Sequence, residues 1–497
     1  MSKHRRHIPK NASRFGYNAT EDKGRRQAPQ TVVRHESEIL TAKKRTRLQA
    51  TAQEQMRNHA LVAWMVRKHL DYVSKFHFSF RTGKEPIDGL VNRIFKWHGA
   101  PGNLDFGGRF GRDELFRLFE LEKVLSGDAG LLKTEGLKLQ AIESDLIAKG
   151  TNAPDNVNDS GLIVDTYGRV EQYAICRREI GQTKPVFDHL EPKKNLIFDA
   201  YWTRLSSQFR GVSPLSVAIN TVQDIHESFE FNQIKMKMHA LFGVAITRKD
   251  DSMEGSFGGA AGATGETEAA TATADGTSHD LNPRSINMLD LNPGEDVKMI
   301  ESGTPSSEFV EGSYLFIQIA MLALDIPVTC FDSRRSSFSA RIADQNEYEV
   351  SSDAKRTKNR YVRQAYSDWV LETIWNGPET PWPLRSVATA MGMSLRDVQE
   401  ACEWVSSGSP WLDKFNQIKG DQLAISMMID NSMDCARRRG QNVFDNIDKE
   451  AIVLAYAKEK GVPMAVVQAG TRTADEIEQA VKTVMEAAKK EEVDNGQ

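Results

Sequence analysis

Apolar positions along the chain fall mostly at helical spacing, with a block of strand-like alternation in the first half. Residues 42–80 have apolar side chains near helical spacing, and residues 112–125 form an amphipathic pattern. Residues 130–147 and 161–200 instead contain short alternating runs, with a hairpin signal at Asp165–Gly168. The pattern predicts an α+β chain that is mainly helical.

The segment Phe209–Leu215 precedes a long run without a helix breaker. Gly211 frees the backbone, Ser213 can cap a helix, and Pro214 suits the first helical position. No further Pro or Gly occurs before Leu241, so the pattern predicts one long helix. Its apolar positions are spaced mainly by three or four and predict a packing stripe: Leu215, Ala218, Ile219, Val222, Ile225, Phe229 and Ile234.

The second half of the chain is predicted to be almost wholly helical. Residues 308–325 form an apolar helix, and a polar loop from Asp332 precedes a long helix that runs from Ser339, a good N-cap, to about Trp375. After a break at Pro381–Pro383, short helices are predicted within 395–440 and at 445–461.

Composition points to a large chain without a targeting or membrane segment. The 497 residues are 40% hydrophobic with a net charge of −4, and the N-terminus lacks an apolar signal region. The most apolar run, Tyr314–Val328, is short for a bilayer and contains Gln318 and Asp325, so we expect no membrane contact. The 4 cysteines show no CxxC spacing, which argues against a zinc ribbon or a disulfide framework.

Two stretches differ from the rest in composition. Residues 1–50 are strongly basic, which fits a solvated arm or, alternatively, a contact with nucleic acid or an acidic partner. Residues 251–280 are rich in Gly, Ala, Thr and Ser and predict a flexible loop inserted in a domain.

Catalytic motifs are lacking. The sequence has no HExxH, GxSxG or Walker motif, no acidic cluster typical of a two-metal nuclease, and its 11 histidines are dispersed. We therefore expect no enzyme activity, no catalytic residue, no metal site and no cofactor.

Six short motifs, in order along the chain, resemble the lambda-type portal proteins of tailed bacteriophages. The Arg-Gly-Val turn at Arg210–Val212 precedes the long helix, and a Ser-rich loop precedes the next one. The motifs are Leu48–Val62, Leu137–Asp145, Asp165 with Gly168, Arg169 and Tyr173, Arg210–Leu215, Ile326–Pro327 with Asp332 and Ser337–Arg341, and Ser409–Trp411 with Ala436–Gly440.

The resemblance implies a structural ring, typically of twelve copies, at one capsid vertex. Double-stranded DNA would pass through the ring without sequence-specific contacts during packaging and ejection. Implied partners are the major capsid and scaffold proteins, terminase, and a neck or tail adaptor. The protein would reside in the virion, and in the host cytoplasm during assembly.

The family architecture divides the chain into successive parts. The implied parts are a basic arm at 1–41, a wing at 42–212, a stem helix at 213–241, a clip at 242–307, a second stem helix at 308–327, a tunnel loop at 328–339, a spine helix at 340–375, a crown-like helical region at 376–470 and a flexible tail at 471–497.

A channel for moving DNA should hold its charge weakly, because duplex DNA carries one charge per ~1.7 Å of axis. A few cationic or polar points are expected rather than a basic lining. The candidates are Lys235, Lys237, Arg334, Arg335, Ser336 and Ser337. Ordinary surface ion pairs or subunit contacts are the alternative for these side chains.

A second set of residues is expected to shape the motifs rather than to touch DNA. It comprises Arg210, Gly211, Ser213, Pro214, Ser339 and Arg341. Other components of the packaging machinery remain alternatives for the whole chain: a terminase-type motor or nuclease, or another head or neck protein such as an adaptor.

Overall fold

The computed structural model describes residues 33–182, 184–241, 244–248, 295–299, 306–377, 381–408 and 414–461. The chain divides into two compact units, one formed by residues 1–216 and 324–497 and the other by residues 217–323. The predicted loop at 251–280 and the tail at 471–497 lie outside the described residues, as do residues 1–32 of the predicted arm.

The larger unit contains most of the secondary structure. The helices of the described chain are α1 Glu36–Ile39, α2 Ala42–Asn58, α3 Ala60–Val73, α4 Glu85–His98, α5 Arg112–Ser126, α6 Ile219–Leu241, α7 Ser307–Met321, α8 Phe338–Asn376, α9 Leu384–Ala390, α10 Leu395–Glu400, α11 Lys414–Ser426, α12 Ser432–Arg438 and α13 Val443–Glu459. The strands are β1 Phe76–Phe80, β2 Asp128–Thr134, β3 Lys138–Ile142, β4 Leu162–Val164, β5 Val170–Arg177, β6 Val186–Pro192, β7 Leu196–Ala200, β8 Val244–Arg248, β9 Glu295–Met299 and β10 Cys402–Ser406.

The alternation in the first half folds into two antiparallel three-stranded sheets, as its pattern indicates. One sheet has the order β3–β2–β7 and the other β4–β5–β6. The predicted hairpin joins β4 to β5, where Gly168 has a φ of +79° and the Asp165 carboxylate accepts hydrogen bonds from two backbone amides. Such a positive φ suits glycine, which has no Cβ to clash.

The sheet β3–β2–β7 separates two hydrophobic cores. Leu131 and Ile197 turn one way, into a core with α4, α5 and α8, whereas Leu132 and Leu196 turn the other way, toward β4 and β5. This follows from the alternation of side chains along a strand. A one-residue slip would exchange the side chains that face the two cores, so each core would have to repack.

The helix predicted for 42–80 is wrong in its second part. It breaks at His59, α3 ends at Val73, and Phe76–Phe80 is a strand that pairs antiparallel with Cys402–Ser406. The predicted series of short helices after residue 395 therefore also contains a strand. The two strands are over 300 residues apart in the sequence. A local sequence pattern therefore cannot predict that they pair.

Two predicted helix starts are displaced. Residues Pro214–Val217 form a 3-10 turn, and α6 begins at Ile219. The long helix α8 begins at Phe338, so the expected N-cap Ser339 is wrong. Ser337 is the cap, because its backbone is extended and its side chain accepts a hydrogen bond from the Ala340 amide.

Helix α8 is 39 residues long, about 58 Å, and is attached to the end of α3. Arg356 Nε donates to Tyr72 O at 2.6 Å, and Arg363 Nη2 donates to Ser74 O at 2.7 Å. Asn359 Nδ2 lies 3.4 Å from the intervening carbonyl. A helix C-terminus leaves its last carbonyls unpaired and carries a partial negative charge. The two buried guanidinium groups therefore stabilise it as hydrogen-bond donors and as positive charges.

A buried charge network lies between α3, α5, β7 and α8. Lys123 Nζ lies 2.7 Å from both Glu120 Oε2 and Asp199 Oδ2, and His69 and Tyr201 also contact the Glu120 carboxylate. Burial alone would raise the pKa of Glu120, but Lys123 and His69 hold this pKa well below its usual value. Burial lowers the pKa of His69, which keeps the imidazole neutral.

The described part of the smaller unit contains α6, α7 and the strand pair β8–β9. Phe229 of α6 meets Phe309 of α7 edge-on, with ring centroids 5.7 Å apart. The apolar helix predicted for 308–325 ends earlier, at Met321, and continues as a 3-10 turn at Leu322–Leu324. The antiparallel pair β8–β9 forms within the implied clip region.

The Glu120 network predicts acid sensitivity. A carboxylate with a lowered folded-state pKa contributes stability that is present above the unfolded pKa, 4.5 for Glu, and is lost as the pH falls. We expect Glu120→Gln to reduce the loss of unfolding free energy between pH 6 and pH 3, measured by urea titration. Glu114→Gln removes an exposed carboxylate from the same helix and should leave that loss unchanged. Equal acid sensitivity of Glu120→Gln and wild type would contradict the assignment.

Candidate functional site

Arg210, the first residue of the predicted motif, is an internal cross-link. Its side chain is 2% exposed, and it forms a bidentate ion pair with Asp128 at 2.7 and 2.8 Å. The guanidinium also donates to the carbonyls of Ser144, Ile147 and Ser160. All three guanidinium nitrogens are therefore used, and they join the chain before α6 to β2 and to the segments after β3.

The Asp128 carboxylate accepts hydrogen bonds from other groups besides Arg210. These donors are the Gly211 amide, at 2.8 Å, and the Ser144 hydroxyl. Burial alone would raise the pKa of Asp128, but the neighbouring guanidinium lowers this pKa below its usual value. The pair is charged on both sides, and each lone pair that burial removes from water is satisfied by a donor.

Gly211 is required by the close approach of two backbones. A Cβ at Gly211 would lie 1.9 Å from the carbonyl oxygen of Gly127, and a Cβ at Gly127 would lie 2.6 Å from the Gly211 carbonyl. Gly127 also ends α5 with a φ of +95°. No other residue type fits at either position without moving the chain.

Ser213 and Pro214 complete the turn. The Ser213 hydroxyl donates to Val124 O at 2.7 Å and accepts from the Leu215 amide at 3.1 Å. Ser213 thus attaches the turn to the last part of α5 while it starts the 3-10 turn at Pro214. The motif fixes the chain entering α6 at three points: Asp128, Gly127 and Val124.

The polar loop before α8 is held by Asp332. Its carboxylate accepts from the Arg334 amide at 3.0 Å and pairs with Arg334 Nε at 3.1 Å, and Arg335 Nε lies 4.0 Å away. The Arg334 side chain is nonetheless 90% exposed. Ser336 donates to Ser333 O, and Ser337 caps α8, so both serine side chains have structural partners.

The remaining predicted residues are exposed. Lys235 and Lys237 lie on the C-terminal part of α6 in the smaller unit, whereas Arg334, Arg335 and Arg341 belong to the larger unit. Ser339 and Arg341 lie in the first turn of α8 and are also exposed. The structure brings together Arg210, Gly211, Ser213 and Pro214, and it brings together the loop residues around Asp332.

The partners of Arg210 were not found by sequence reasoning. Asp128 directly follows Gly127 at the end of α5, and Ser144 begins a 3-10 turn after β3. An acid placed directly after a helix-ending glycine, at the start of a buried strand, was the available signal. Nothing local indicates that its counter-ion lies 82 residues further along the chain.

One described stretch meets the length and composition of a membrane span. By length and composition alone, the described residues Ser307–Leu324 could cross a bilayer. Among all the residues that the structure describes, there is no group of three or more His, Cys, Asp or Glu residues that could bind a metal ion.

The family is shown by a match that covers the Arg210 motif, α6 and α7. Residues 23–327 match the model described as phage portal protein, lambda family. The chain belongs to the lambda family of phage portal proteins, which are structural proteins. The resemblance inferred from the motifs is thereby confirmed.

Comparison with solved structures gives similar chains at low identity. A chain of the virion of the native gene transfer agent particle is 15% identical, with a TM-score of 0.40, over 77% of this chain and 89% of that one. A chain from the neck of the native particle, computed with C12 symmetry, is 14% identical, with a TM-score of 0.39, over 78% of this chain and 93% of that one. No curated protein matched the sequence.

The Arg210–Asp128 pair predicts a large stability loss on its disruption. Arg210→Met keeps an elongated side chain but leaves a buried carboxylate unpaired, which costs about 3–5 kcal/mol. We expect that loss in the free energy of unfolding, measured by urea titration. Arg177→Met, whose side chain is 63% exposed, is the control and should change stability by about 0.5 kcal/mol or less. Equal effects of the two variants would contradict the role of Arg210.

Proposed function

We propose that the protein forms the portal ring through which double-stranded DNA enters and leaves a capsid. Copies surround a central channel at one vertex, typically twelve of them, and the ring docks terminase during packaging and a neck or tail adaptor afterwards. The observation that carries the proposal is the lambda-family match across residues 23–327, together with a helix pair whose apolar side chains are left exposed.

The exposed apolar side chains lie on both helices of the smaller unit. On and just after α7, several of them are 42–68% exposed: Val310, Leu315, Phe316, Ile319 and Leu322. On α6 the corresponding set is 41–68% exposed: Phe229, Phe231, Ile234 and Met236. Apolar side chains clustered in this way mark an interaction surface, and neighbouring copies in a ring would cover them.

A ring interface suits α6 better than a lipid bilayer would. Helix α6 contains Asp224, Glu227 and Glu230, with Lys235 and Lys237 further along. Each such charge is costly within hydrocarbon. In a ring, the same charges can line a water-filled channel while the apolar faces pack against adjacent copies.

The mixed charge of α6 fits a channel that does not retain DNA. Carboxylates repel phosphates, and the two lysines provide isolated attractive points, so the summed interaction is weak and salt-dependent. We assign Lys235 and Lys237 to the channel on this basis. No side chain is assigned to base recognition, because the DNA that passes has no fixed sequence.

The loop around Asp332 is the second proposed DNA contact. Residues 328–339 contain two arginines and one aspartate, so the loop has a net positive charge, and the exposed Arg334 guanidinium can leave Asp332 for a phosphate. Ser336 and Ser337 are assigned to the same loop, with Ser337 also fixing the start of α8. The remaining parts of the proposed portal are a wing at 42–212, a clip at 242–307, a spine helix at 340–375 and a crown at 376–470.

Ring formation tests the proposed function directly. Negative-stain images of the purified protein are expected to show rings with a central hole wide enough for duplex DNA. Leu315→Glu with Ile319→Glu should abolish rings and leave monomers, because two carboxylates replace the apolar contact. Leu205→Glu changes a leucine that is fully exposed outside α6 and α7 and should leave rings intact. Wild-type protein that forms shells or stays monomeric would contradict a portal role.

The loop arginines predict a defect in DNA handling without a defect in assembly. Arg334→Ala with Arg335→Ala should form normal rings but package or retain less DNA in particles, because two phosphate-binding groups are lost. The matched control, Arg334→Lys with Arg335→Lys, keeps both charges and should retain most of the DNA. Unchanged DNA content in the alanine variant, measured by quantitative PCR of nuclease-treated particles, would show that the loop charges do not act on DNA.

A further inference from the structure

The strand β7 lies at one edge of its sheet. Among the strands that the structure describes, its one neighbour is β2. Tyr201 N donates to Gly127 O, so these two residues form a hydrogen-bonded pair. In an antiparallel ladder every second pair is of this kind, so Asp199 with Ala129 and Ile197 with Leu131 are hydrogen-bonded pairs too. The backbone N–H and C=O of Phe198 therefore point away from β2, toward the free edge.

A cleft of about 740 Å³ lies along this edge, between β7 and α8. Its volume is within the range of roughly 300–1,000 Å³ of binding clefts. Lysines and two exposed aromatic rings line it: Lys133, Lys193, Lys194, Lys358, Trp202 and Tyr361. We call this feature the strand-edge groove.

The strand-edge groove has a surplus of positive charge. Among the residues that the structure describes, none of the four lysine ammonium groups has a carboxylate within 4.0 Å. The one acidic residue that lines the groove, Asp199, is already paired with Lys123 at 2.7 Å. Lys133 donates to Lys194 O at 2.9 Å, which fixes the position of the turn that presents Lys193 and Lys194.

We propose that the strand-edge groove binds an extended acidic peptide segment of a partner protein, which adds a strand to the free edge of β7. The open edge offers the N–H and C=O of Phe198, which a peptide backbone can satisfy. The lysines favour acidic side chains on that strand, and the two aromatic rings provide apolar contact. A nucleic acid would satisfy the lysines but not the edge, so we favour the peptide.

A binding experiment can separate the contribution of the β7 backbone to peptide binding from the contribution of the lysines. The probe is a fluorescein-labelled peptide of alternating glutamate and valine, titrated with the full-length protein and followed by anisotropy. Phe198→Pro removes the backbone N–H that points to the free edge. Phe198→Ala shortens the same side chain but keeps this N–H. We expect binding to be lost in Phe198→Pro and retained in Phe198→Ala, with circular dichroism confirming that both variants are folded.

The charge arm uses Lys193→Glu with Lys194→Glu, which should weaken binding about tenfold, or about 1.4 kcal/mol. A peptide with lysine in place of glutamate should not bind wild-type protein. Equal binding by both Phe198 variants, or stronger binding of a single-stranded oligonucleotide than of the peptide, would overturn strand addition. So would the absence of binding to wild-type protein, since lysines beside an edge can simply prevent unwanted strand pairing. Binding to monomers but not to assembled rings would overturn it too, because another copy would then occupy the groove.

Discussion

The bidentate pair between Arg210 and Asp128 is the interaction on which the larger unit depends. It connects three regions separated in sequence: the end of α5, the segments around Ser144 and Ser160, and the chain that enters α6. A buried pair of this kind is not a large net source of stability when compared with an apolar replacement. Its value lies in specificity, because any other arrangement of these segments leaves a charge buried without a partner.

A second set of buried charges serves α8 in a similar way. Two arginines and an asparagine on one face of this helix contact consecutive carbonyls at the end of α3. The Glu120 network lies close by, where Lys123 also donates to Asn359. The longest helix of the described chain is thus positioned by polar contacts of defined geometry as well as by apolar packing. On α6 and α7, several apolar side chains are exposed.

The sequence predicted helices and sheets wherever the pattern was local and strong. The helix at 112–125, the hairpin at Asp165–Gly168 and the long helix before Trp375 are close to their observed bounds. The start of α8 was misjudged by two residues because Ser337 and Ser339 are equally good caps by type, and only backbone geometry distinguishes them. The pair β1–β10 was missed because its ladder joins residues over 300 positions apart, although the alternating Phe76-His-Phe-Ser-Phe offered a strand signal.

In the candidate site, too, the residues of a local motif were predicted and their distant partners were not. Arg210, Gly211 and Ser213 were identified from a motif, but Asp128, the partner of Arg210 and Gly211, could not be found because its role depends on tertiary contact. The contact between Gly127 and Gly211 has a further consequence for tracing distant relatives. Because a Cβ on either glycine would clash with the carbonyl group of the other, the two positions, 84 apart in sequence, are constrained together. A diverged chain that keeps Arg-Gly before its long helix should also keep glycine at the end of α5, so this glycine pair can set the register of an alignment where overall identity is too low to do so.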